Sequence, residues 1–374
     1  MTAVRAAFVM EQTLGHVTHY QNLATAAQRQ SAVLASWILV PFGTSALERV
    51  VPGFGSNWSV RASYRARRQL GRTLAERHHD ALFFHTQVTS LFSVGLMRRY
   101  PSVVSLDATP LNYDSVAAAY GHRPASGSWL DGRKHRMNRE AFEAARALVT
   151  WSEWARASLG ADYGIDPDKV TVLAPGAART YFEIGRERSR AQKADRPVRI
   201  LFVGGDFARK GGPVLLEAMS ALRAERAVEL HIVTQQAVEP RPGVVVHRGV
   251  RPNSPELYRL FRDADVFVLP SLGECLSVVL MEAGAAGLPI VSTDVGALRE
   301  AAKDGENAIV VRAGDVGSLR AALEALVNDE LLRARLGTAA HALAVERFDA
   351  ERNDQLLVEL VARVARPIDA RRVA

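Results

Sequence analysis

Two carboxylates stand out in the segment PSLGECLSVVLMEAGAAGLPIVSTDVGALRE, which covers residues 270–300. Glu274 and Glu282 are separated by seven residues, and their neighbours are almost all apolar. Acids rarely lie in apolar surroundings unless something binds them. Carboxylates are strong hydrogen-bond acceptors, so both side chains are candidates for binding the hydroxyl groups of a ligand.

A second segment, LFVGGDFARKGGPVLLEAM (residues 201–219), has the composition of an anion site. An apolar strand pattern ends at Gly204 and Gly205, the loop carries Arg209 and Lys210, and a helix is predicted from about Pro213. Glycines allow a ligand to approach the backbone, and a helix N-terminus beside two cations favours an anion. The segment has neither the Walker pattern nor GxGxxG. The alternative is a plain strand-to-helix turn with exposed basic residues.

The two segments together indicate one ligand. A helix starting near Leu276 would separate Glu274 from Glu282 by ~12 Å, which is about the span from the sugar to the ribose of a sugar nucleotide. The two acids would bind the two polyol ends, and the helix N-terminus would face the phosphates. The alternative is that Glu282 joins a buried network and Glu274 is an ordinary loop acid.

Short β-branched runs alternate with longer helical patterns along the whole chain, which is typical of parallel α/β units. The strand candidates are VRAAFVME, SWILVPF, ALFFHT, SVVSLDA, ALVTWSE, VRILFVGG, VELHIVTQ, GVVVHRG, DVFVLPS, LPIVSTD and AIVVRAG. We therefore predict two doubly wound, Rossmann-like domains at residues 1–182 and 198–348. The polar stretch 183–197 would be a linker, and residues 349–374 a terminal helix and tail returning to the N-terminal domain. Ligands would bind at the carboxyl ends of the strands, in a cleft between the two sheets.

The net charge of +7 lies entirely in the first half, because residues 1–182 hold 20 Lys/Arg and 13 Asp/Glu. Much of it falls on one predicted helix, where Arg61, Arg65, Arg68 and Arg72 recur at helical spacing beside an apolar row. This pattern indicates a solvated face or a surface for anionic lipid headgroups or another anionic acceptor. Nucleic acid is disfavoured, because aromatic residues are not interleaved with the arginines.

The remaining composition is that of a cytoplasmic globular protein. The single cysteine, Cys275, excludes an intramolecular disulfide, and no apolar run is long enough to span a bilayer. The N-terminus lacks the layout of a signal peptide. We expect a soluble protein, with peripheral binding to the inner face of the membrane as a further hypothesis for the basic helix.

The combined motifs resemble one enzyme family. The E-x7-E pattern followed by AGAAGLPIVSTDVGALREAAKDGENAIVV is similar to the C-terminal half of the family 4 (group 1) retaining glycosyltransferases, which have the GT-B fold. The stretch LVTWSEWARASLGADYGIDPDKVTVLAPGA and the loop FVGGDFARKGG also resemble this family. The likeness covers residues 140–345, and the first 140 residues match in outline only.

The resemblance implies a role for each candidate. Glu274 would contact hydroxyls of the transferred sugar, Glu282 the ribose, and Lys210 the diphosphate. Backbone amides at the helix N-terminus would meet the same phosphates; these belong to Leu276, Ser277 and Val278. The family often has arginine where this chain has Gly205, and Arg209 would replace its charge. Cys275-Leu276-Ser277 stands where the family often has glycines, which leaves the donor sugar open.

In the N-terminal half, Gly15 precedes a predicted helix and by analogy lies near the donor phosphates. Asp107 ends a strand and precedes a proline-containing loop, where the family often places a histidine or acid facing the reacting sugar. Asp107 would orient the acceptor or stabilise positive charge at the anomeric carbon. The alternative is a turn or helix-capping residue.

Other polar residues give weaker indications of a functional site. His85 and Gln87, after the strand ALFFHT, are weaker acceptor-site candidates, and His16 and His19 are interpreted as polar residues of a helix. The DxD pattern at residues 263–265 directly precedes a strand, and residues of this kind occupy the same place in the resembling family without binding metal. We predict neither a metal site nor a cofactor.

The resemblance implies a retaining transfer from a nucleotide-diphosphate sugar to a hydroxyl acceptor, such as a glycolipid, a polysaccharide or a small glycoside. Glu274, Lys210, Arg209 and Asp107 would be the catalytic residues, and charge on the leaving diphosphate would be stabilised electrostatically. The donor's own phosphate oxygen would take the acceptor proton. Rival hypotheses are a nucleotide-sugar epimerase and a noncatalytic partner subunit of the same fold; a phosphorylase would need a much longer chain with a pyridoxal lysine.

Overall fold

The computed structural model describes residues 3–13, 15–30, 32–43, 57–121, 128–188, 196–223 and 226–366. The chain divides into two compact units. Unit 1 comprises Met1–Leu111, Ala125–Leu173 and Glu351–Ala374, and unit 2 comprises Asn112–Pro124 and Ala174–Ala350. Each unit is an α/β structure built on one parallel sheet.

The sheet of unit 1 has six parallel strands in the order β2-β1-β3-β4-β5-β6. The strands are β1 (Val4–Gln12), β2 (Val33–Pro41), β3 (Ala81–His85), β4 (Ser102–Leu106), β5 (Ala147–Thr150) and β6 (Val170–Val172). The helices in this part of the chain are α1 (His16–Arg29), α2 (Trp58–Glu76), α3 (Gln87–Ser90), α4 (Val94–Met97), α5 (Pro110–Ser115), α6 (Trp129–Ala144) and α7 (Glu153–Tyr163).

The sheet of unit 2 also has six parallel strands, in the order β12-β11-β10-β7-β8-β9. The strands are β7 (Val198–Val203), β8 (Val228–Val233), β9 (Val244–His247), β10 (Val266–Leu269), β11 (Ile290–Thr293) and β12 (Ala308–Val311). The helices are α8 (Arg179–Arg188), α9 (Gly212–Arg223), α10 (Pro255–Asp263), α11 (Val278–Ala285), α12 (Val316–Asn328) and α13 (Glu330–Arg347).

The last helix, α14 (Ala350–Ala365), belongs to unit 1 almost entirely, which confirms the predicted return of the C-terminal helix. Its apolar residues recur at helical spacing and join the core cluster that contains Phe8 and Phe83 of the sheet. Leu357, Val358 and Val361 are all buried in that cluster. An ion pair between Arg29 and Glu351 of 2.8 Å adds a surface contact.

The eleven predicted strands are all confirmed, because each is a compact run of β-branched and apolar residues. The three-residue strand β6 was missed. Within unit 2, the chain moves from β7 outward through β8 and β9, then returns to β10 on the other side of β7. Such a reversal opens a crevice at the carboxyl ends of the two strands, and that is where ligands bind in doubly wound sheets. Unit 1 has the corresponding reversal between β1 and β3.

The predicted domain boundaries differ from this division. Residues 174–182 belong to unit 2, and residues 183–188 of the predicted linker are helical, within α8. The guanidinium of Arg188 donates to the carbonyl oxygens of Phe261, Ala264 and Ala286 at 2.6, 2.7 and 2.9 Å. The polar composition of this stretch therefore reflects a cation bound by carbonyls at helix C-termini. The rest of the predicted linker, residues 189–195, lies outside the described residues.

No helix in the described ranges has the length and apolar character that crossing a bilayer requires.

Packing of α14 on unit 1 gives a testable expectation. Leu357→Ala should lower the free energy of unfolding of unit 1 by about 2–5 kcal/mol, because the substitution leaves a cavity in a close-packed core. All five tryptophans, Trp37, Trp58, Trp129, Trp151 and Trp154, lie in unit 1, so their fluorescence during urea unfolding reports on this unit.

The neighbouring Leu356 is 46% exposed and provides a matched control on the same helix. Leu356→Ala should change the same transition by less than about 1 kcal/mol. Equal effects of the two substitutions would show that α14 does not pack on the core of unit 1.

Candidate functional site

The loop after β7 brings Lys210 close to the end of the sheet. A Cβ at Gly204 would lie 2.6 Å from Cδ of Lys210, so only glycine leaves room for the lysine stem at this point. Gly211 has a φ of +79°, and a Cβ there would meet the carbonyl oxygen of Pro270 at 1.9 Å. These approaches fix the loop beside the one that follows β10. Apart from its chain neighbours, no atom of the described residues lies within 4 Å of a Cβ built at Gly205, so these residues leave the predicted ligand approach open there.

The loop after β10 carries Glu274. Its backbone packs against Gly296, where φ is +55° and a Cβ would lie 1.9 Å from the carbonyl oxygen of Glu274. The amide of Ala297 donates to the carbonyl of Cys275 at 2.8 Å, which ties the same loop to the segment after β11. Glu274 is thus positioned by three loops at the carboxyl ends of neighbouring strands.

Glu274 lies between two cations. Lys210 Nζ donates to Glu274 Oε2 at 2.8 Å, and Arg209 Nη1 is 3.3 Å from the same oxygen. Lys210 Nζ is also 3.4 Å from the hydroxyl of Ser277. The side chains of Arg209, Lys210 and Glu274 are only 3%, 14% and 10% exposed, so the ion pairs are shielded from water. The structure therefore brings together three residues that the sequence predicted for one site.

The electrostatics of Glu274 follow from this arrangement. Burial alone would raise the pKa of its carboxyl, but the charges of Lys210 and Arg209 outweigh burial and hold the pKa below its usual value. Glu274 is consequently ionised at neutral pH. The carboxylate pairs with both cations, and an anionic ligand would compete with it for the same two groups.

Glu282 lies in the second turn of α11 and is 5% exposed. Burial raises the pKa of its carboxyl to about 8, although the Tyr181 hydroxyl and the charge of Lys210 act in the opposite direction. Glu282 is thus mainly neutral at pH 7 and able both to donate and to accept a hydrogen bond. A ribose hydroxyl has the same two capacities, so the predicted role is chemically feasible.

The N-terminus of α11 differs from the prediction. The helix begins at Val278, with Ser277 at the N-cap, and the backbone from 273 to 277 is not helical. The predicted ~12 Å rise along one helix from Glu274 to Glu282 therefore does not hold. The Ser277 side chain makes no capping hydrogen bond, and the first turn contains no acid. Leu276, Ser277 and Val278 are all buried there, and their contact with phosphate stays a prediction.

A residue that sequence reasoning missed contacts this cluster. Tyr120, in the 3-10 helix Ala117–Tyr120, places its ring 4.3 Å from the guanidinium carbon of Arg209. Its hydroxyl accepts a hydrogen bond from Arg209 Nη1 at 3.2 Å and lies 3.4 Å from Glu274 Oε1. Because 89 residues separate Tyr120 from Arg209, no local sequence pattern could have indicated the contact.

Unit 1 has its own polar cluster at the carboxyl ends of β1, β3 and β4. His16 Nε2 is 3.6 Å from Asp107 Oδ2, and His16 Nδ1 is 3.1 Å from the hydroxyl of Thr13. Thr13 and Thr86 both donate to the buried carboxylate of Glu11, at 2.7 and 2.6 Å. Burial would lower the pKa of His16, but Asp107 and Glu11 outweigh it and raise the pKa, which favours the imidazolium. His16 is therefore more than the ordinary helix residue that the sequence indicated.

His85 is the last residue of β3 and is fully buried. Its ring stacks on Trp151 with centroids 5.2 Å apart, and the rings of His16 and His19 pack against it at 4.6 and 5.0 Å. Direct contact with an acceptor, as predicted, is inconsistent with this burial. The ring of His85 instead packs against that of His16. The side chain of Asp107 is 22% exposed and is more accessible than that of His16, which is 13% exposed.

The remaining candidates are placed as follows. Gly15 is the N-cap of α1, as predicted, and its contact with a donor stays a prediction. Gln87 is buried at the start of α3. Asp265 of the DxD pattern accepts from Arg196 Nη1 at 2.7 Å and from the amide of Arg199 at 2.8 Å, so its role is structural. Within the described ranges, no three His, Cys, Asp or Glu side chains form a metal-binding group.

The basic helix α2 requires a correction. Arg61 is 6% exposed and lies near the ring of Trp58, because it belongs to the buried side of the helix. Arg65 donates to the carbonyl oxygens of Pro41 and Gly43 and is half-buried. The exposed basic face instead consists of Arg67, Arg68 and Arg72.

Comparison with known proteins is consistent with this site. Residues 197–329 match a family model described as glycosyl transferases group 1, and residues 15–179 match one described as glycosyltransferase family 4. A D-inositol 3-phosphate glycosyltransferase of Arthrobacter sp. (strain FB24) is 32% identical over 316 residues, which cover 79% of this chain and 73% of that protein. An MMP alpha-(1->4)-mannosyltransferase of Mycolicibacterium hassiacum is 31% identical over 298 residues, 74% of this chain and 69% of that protein.

Solved structures share the fold. Sucrose-phosphate synthase from Thermosynechococcus elongatus superimposes with a TM-score of 0.75 at 15% identity, covering 96% of this chain and 99% of that one. Anabaena Alr3699/HepE, solved in complex with UDP and glucose, gives a TM-score of 0.68 at 13% identity, with coverage of 96% and 99%. At these identities the likeness shows the fold alone, which consists of two Rossmann-like domains.

The raised pKa of Glu282 predicts a pH-dependent stability. As pH rises from 4.5 to about 8, the unfolded chain loses this proton while the folded chain retains it, so wild-type stability falls across that window. Glu282→Gln cannot ionise. It should exceed wild-type stability at pH 8 by on the order of 3 kcal/mol and approach it near pH 4.5, as measured by scanning calorimetry.

Glu217 is exposed on α9, and Glu217→Gln serves as the matched control. It should show no comparable dependence on pH. A Glu282→Gln variant whose stability relative to wild type is the same at pH 5 and pH 8 would contradict a neutral Glu282.

Proposed function

Since the chain belongs to the group 1, family 4 glycosyltransferases with the GT-B fold, we propose that it is a retaining enzyme that uses a nucleotide-diphosphate sugar. The sugar would be transferred to a hydroxyl of a glycolipid, a polysaccharide or a small glycoside. The proposal includes no metal ion and no resident cofactor, and the nucleotide sugar is a substrate.

One observation carries the proposal: Lys210 and Arg209 converge on the buried carboxylate of Glu274 at the strand reversal of unit 2. Two shielded cations can stabilise the negative charge that develops on a leaving diphosphate, because their interaction with it is weakly screened. Glu274 would then exchange its cation contacts for hydroxyls of the transferred sugar. A noncatalytic scaffold would have no need to keep these three groups buried together.

The other residues of unit 2 fit the same ligand. Glu282, mainly neutral, can exchange hydrogen bonds with the two hydroxyls of a ribose. The N-terminus of α11, where the Ser277 side chain forms no cap, offers backbone amides to a phosphate. In a front-face attack, the donor's own phosphate oxygen would take the proton of the acceptor hydroxyl. This mechanism therefore requires no general base from the protein.

The acceptor would bind in unit 1 at Asp107. Its carboxylate is partly exposed and lies 3.6 Å from His16 Nε2, a contact that would orient it for a hydrogen bond from an acceptor hydroxyl. One relative is named a D-inositol 3-phosphate glycosyltransferase, and inositol phosphate is a phosphorylated polyol. We propose an acceptor of this chemical class.

We also propose that unit 1 binds anionic membrane surfaces through Arg67, Arg68 and Arg72. All three are exposed on one helix, and each basic residue near an anionic leaflet contributes roughly 1 kcal/mol of attraction. For an acceptor that is carried on a lipid, this binding would bring unit 1 to the membrane surface that contains the acceptor.

Nucleotide binding is the first test. In a metal-free thermal-shift panel of UDP, GDP, ADP and CMP with their common sugar conjugates, one nucleoside diphosphate and its sugar conjugate should stabilise the protein. Lys210→Ala should abolish that shift, because the diphosphate loses its nearest cation. The shift at a series of ligand concentrations gives the affinity.

Lys303 is partly exposed in unit 2, and Lys303→Ala is a control that removes the same charge away from the site. This variant should keep the wild-type shift. If no nucleotide stabilises the wild type, the donor-site proposal fails and the scaffold hypothesis takes its place.

The membrane proposal makes a separate prediction. The triple variant Arg67→Gln, Arg68→Gln, Arg72→Gln should bind vesicles with 30% phosphatidylserine at least tenfold more weakly than wild type in a sedimentation assay, at about 0.1 M salt. Wild-type binding should also fall as salt is raised.

Arg241, Arg248 and Arg251 are exposed in unit 2, and their replacement by glutamine removes the same total charge. This control should bind vesicles as wild type does. Equal losses in both triple variants would mean that net charge, and not the face of α2, governs binding.

A further inference from the structure

The segment Asn112–Pro124 lies in the N-terminal half of the sequence but is part of unit 2. Its described residues form the second part of α5 and the 3-10 helix Ala117–Tyr120, which ends at Gly121 in the left-handed conformation. None of these residues has a role in the proposed function. The proposed function therefore does not explain why the segment packs against the donor-site loops.

The packing is close and depends on a glycine. A Cβ at Gly273 would lie 2.4 Å from Cβ of Ala119 and 3.1 Å from the carbonyl oxygen of Val116. Any other residue at 273 would push the segment away from the loop that carries Glu274. Gly273 also supplies the carbonyl oxygen that accepts from Arg209 Nη1 at 2.8 Å. The segment and Arg209 thus meet at the same short stretch of backbone.

Tyr120 contacts Arg209 in two ways. Its ring lies under the guanidinium at 4.3 Å, a distance at which cation–π attraction is effective, and its hydroxyl accepts from Nη1 at 3.2 Å. The hydroxyl is also 3.4 Å from Glu274 Oε1, so one side chain contacts both members of the ion pair. Tyr113 packs on the ring of Tyr120 with centroids 4.7 Å apart and limits its movement.

These contacts restrict a flexible side chain. Asp206 accepts from Arg209 Nε at 3.0 Å and Gly273 from Nη1, so the plane of the guanidinium is fixed between these acceptors and the Tyr120 ring. An arginine that is already ordered loses less conformational entropy when it binds an anion. The resulting gain in affinity should appear only for ligands that contact Arg209.

We propose that Tyr120 is a positioning residue of the donor site, which holds the Arg209 guanidinium in the orientation that binds the diphosphate. The inference rests on the proposed function, since it presumes a diphosphate at this cluster. Tyr120 acts through Arg209 and does not itself take part in the chemistry. The N-terminal half of the sequence thereby contributes a residue to nucleotide binding.

The test compares nucleoside diphosphates with the corresponding monophosphates by calorimetric titration of the full chain. The probes are UDP and UMP, GDP and GMP, and ADP and AMP, and the pair that binds wild type is carried forward. Tyr120→Leu should weaken diphosphate binding about tenfold and change monophosphate binding less than twofold. Tyr120→Phe keeps the ring and should recover much of the loss, to within about threefold of wild type.

Two further variants sharpen the result. Tyr64→Leu removes a tyrosine that is 46% exposed on α2, and it should bind both nucleotides as wild type does. In an Arg209→Met background, Tyr120→Leu should cause no additional loss of diphosphate affinity, because the side chain through which it acts is absent.

Three outcomes would overturn the inference while leaving the proposed function intact: unchanged diphosphate affinity in Tyr120→Leu, equal losses for diphosphate and monophosphate, or a full additional loss in the Arg209→Met background. If Tyr120→Leu does not fold, Tyr120→Met takes its place, and unchanged diphosphate affinity in that variant would likewise overturn the inference. Failure of every nucleotide to bind wild type would instead refute the proposed function, and the inference with it.

Discussion

The ion pairs of Glu274 with Lys210 and Arg209 are the interaction on which the arrangement of unit 2 depends. A buried carboxylate without compensation would be strongly destabilising, and removal of either partner from such a pair leaves an uncompensated charge. The two cations come from the loop after β7 and the carboxylate from the loop after β10, so the pairing also fixes the separation of these loops. The two cations that pair with Glu274 are those that a diphosphate would use, so binding would exchange one anionic partner for another.

Close backbone contacts make this exchange geometrically feasible. Gly204, Gly211, Gly273 and Gly296 each stand where a Cβ would lie under 3 Å from a neighbouring atom. Two of them have positive φ, a conformation that side chains of L-residues rarely adopt. Because the loops are locked by contacts of this kind, the charged groups can be held at hydrogen-bonding distance without help from a ligand. Such order before binding reduces the entropic cost of recognition.

Much of the fold and the centre of the site could be predicted from sequence, because both are local in origin. The strands are short runs rich in apolar and β-branched residues. Arg209, Lys210 and Glu274 lie in the loops that follow two of these strands, so the topology of parallel sheets brings them to one edge. Contacts between distant segments could not be predicted. Tyr120 reaches Arg209 across 89 residues, and His16 meets Asp107 only through the order of the strands.

Two predictions were wrong because composition was interpreted without packing. Arg61 shares the helical spacing of exposed arginines, but its side chain is buried, with the guanidinium near the ring of Trp58 on the same helix. The stretch around Arg188 has the polarity of a linker, but the guanidinium of Arg188 is bound by four carbonyls of unit 2. In both cases the protein packs around the arginine side chain and its guanidinium group. The pattern of charges along the sequence does not reveal such packing.

The membership of α14 in unit 1 has a consequence for biosynthesis. Domains generally fold as they emerge from the ribosome, the N-terminal one first. Here the core around Phe8 and Phe83 includes residues 357–364, which are synthesised after the whole of unit 2. Part of one apolar face of the first sheet therefore stays uncovered while residues 174–350 are synthesised. A nascent chain released just after residue 350 would contain all of unit 2 and would lack the helix that completes the core of unit 1.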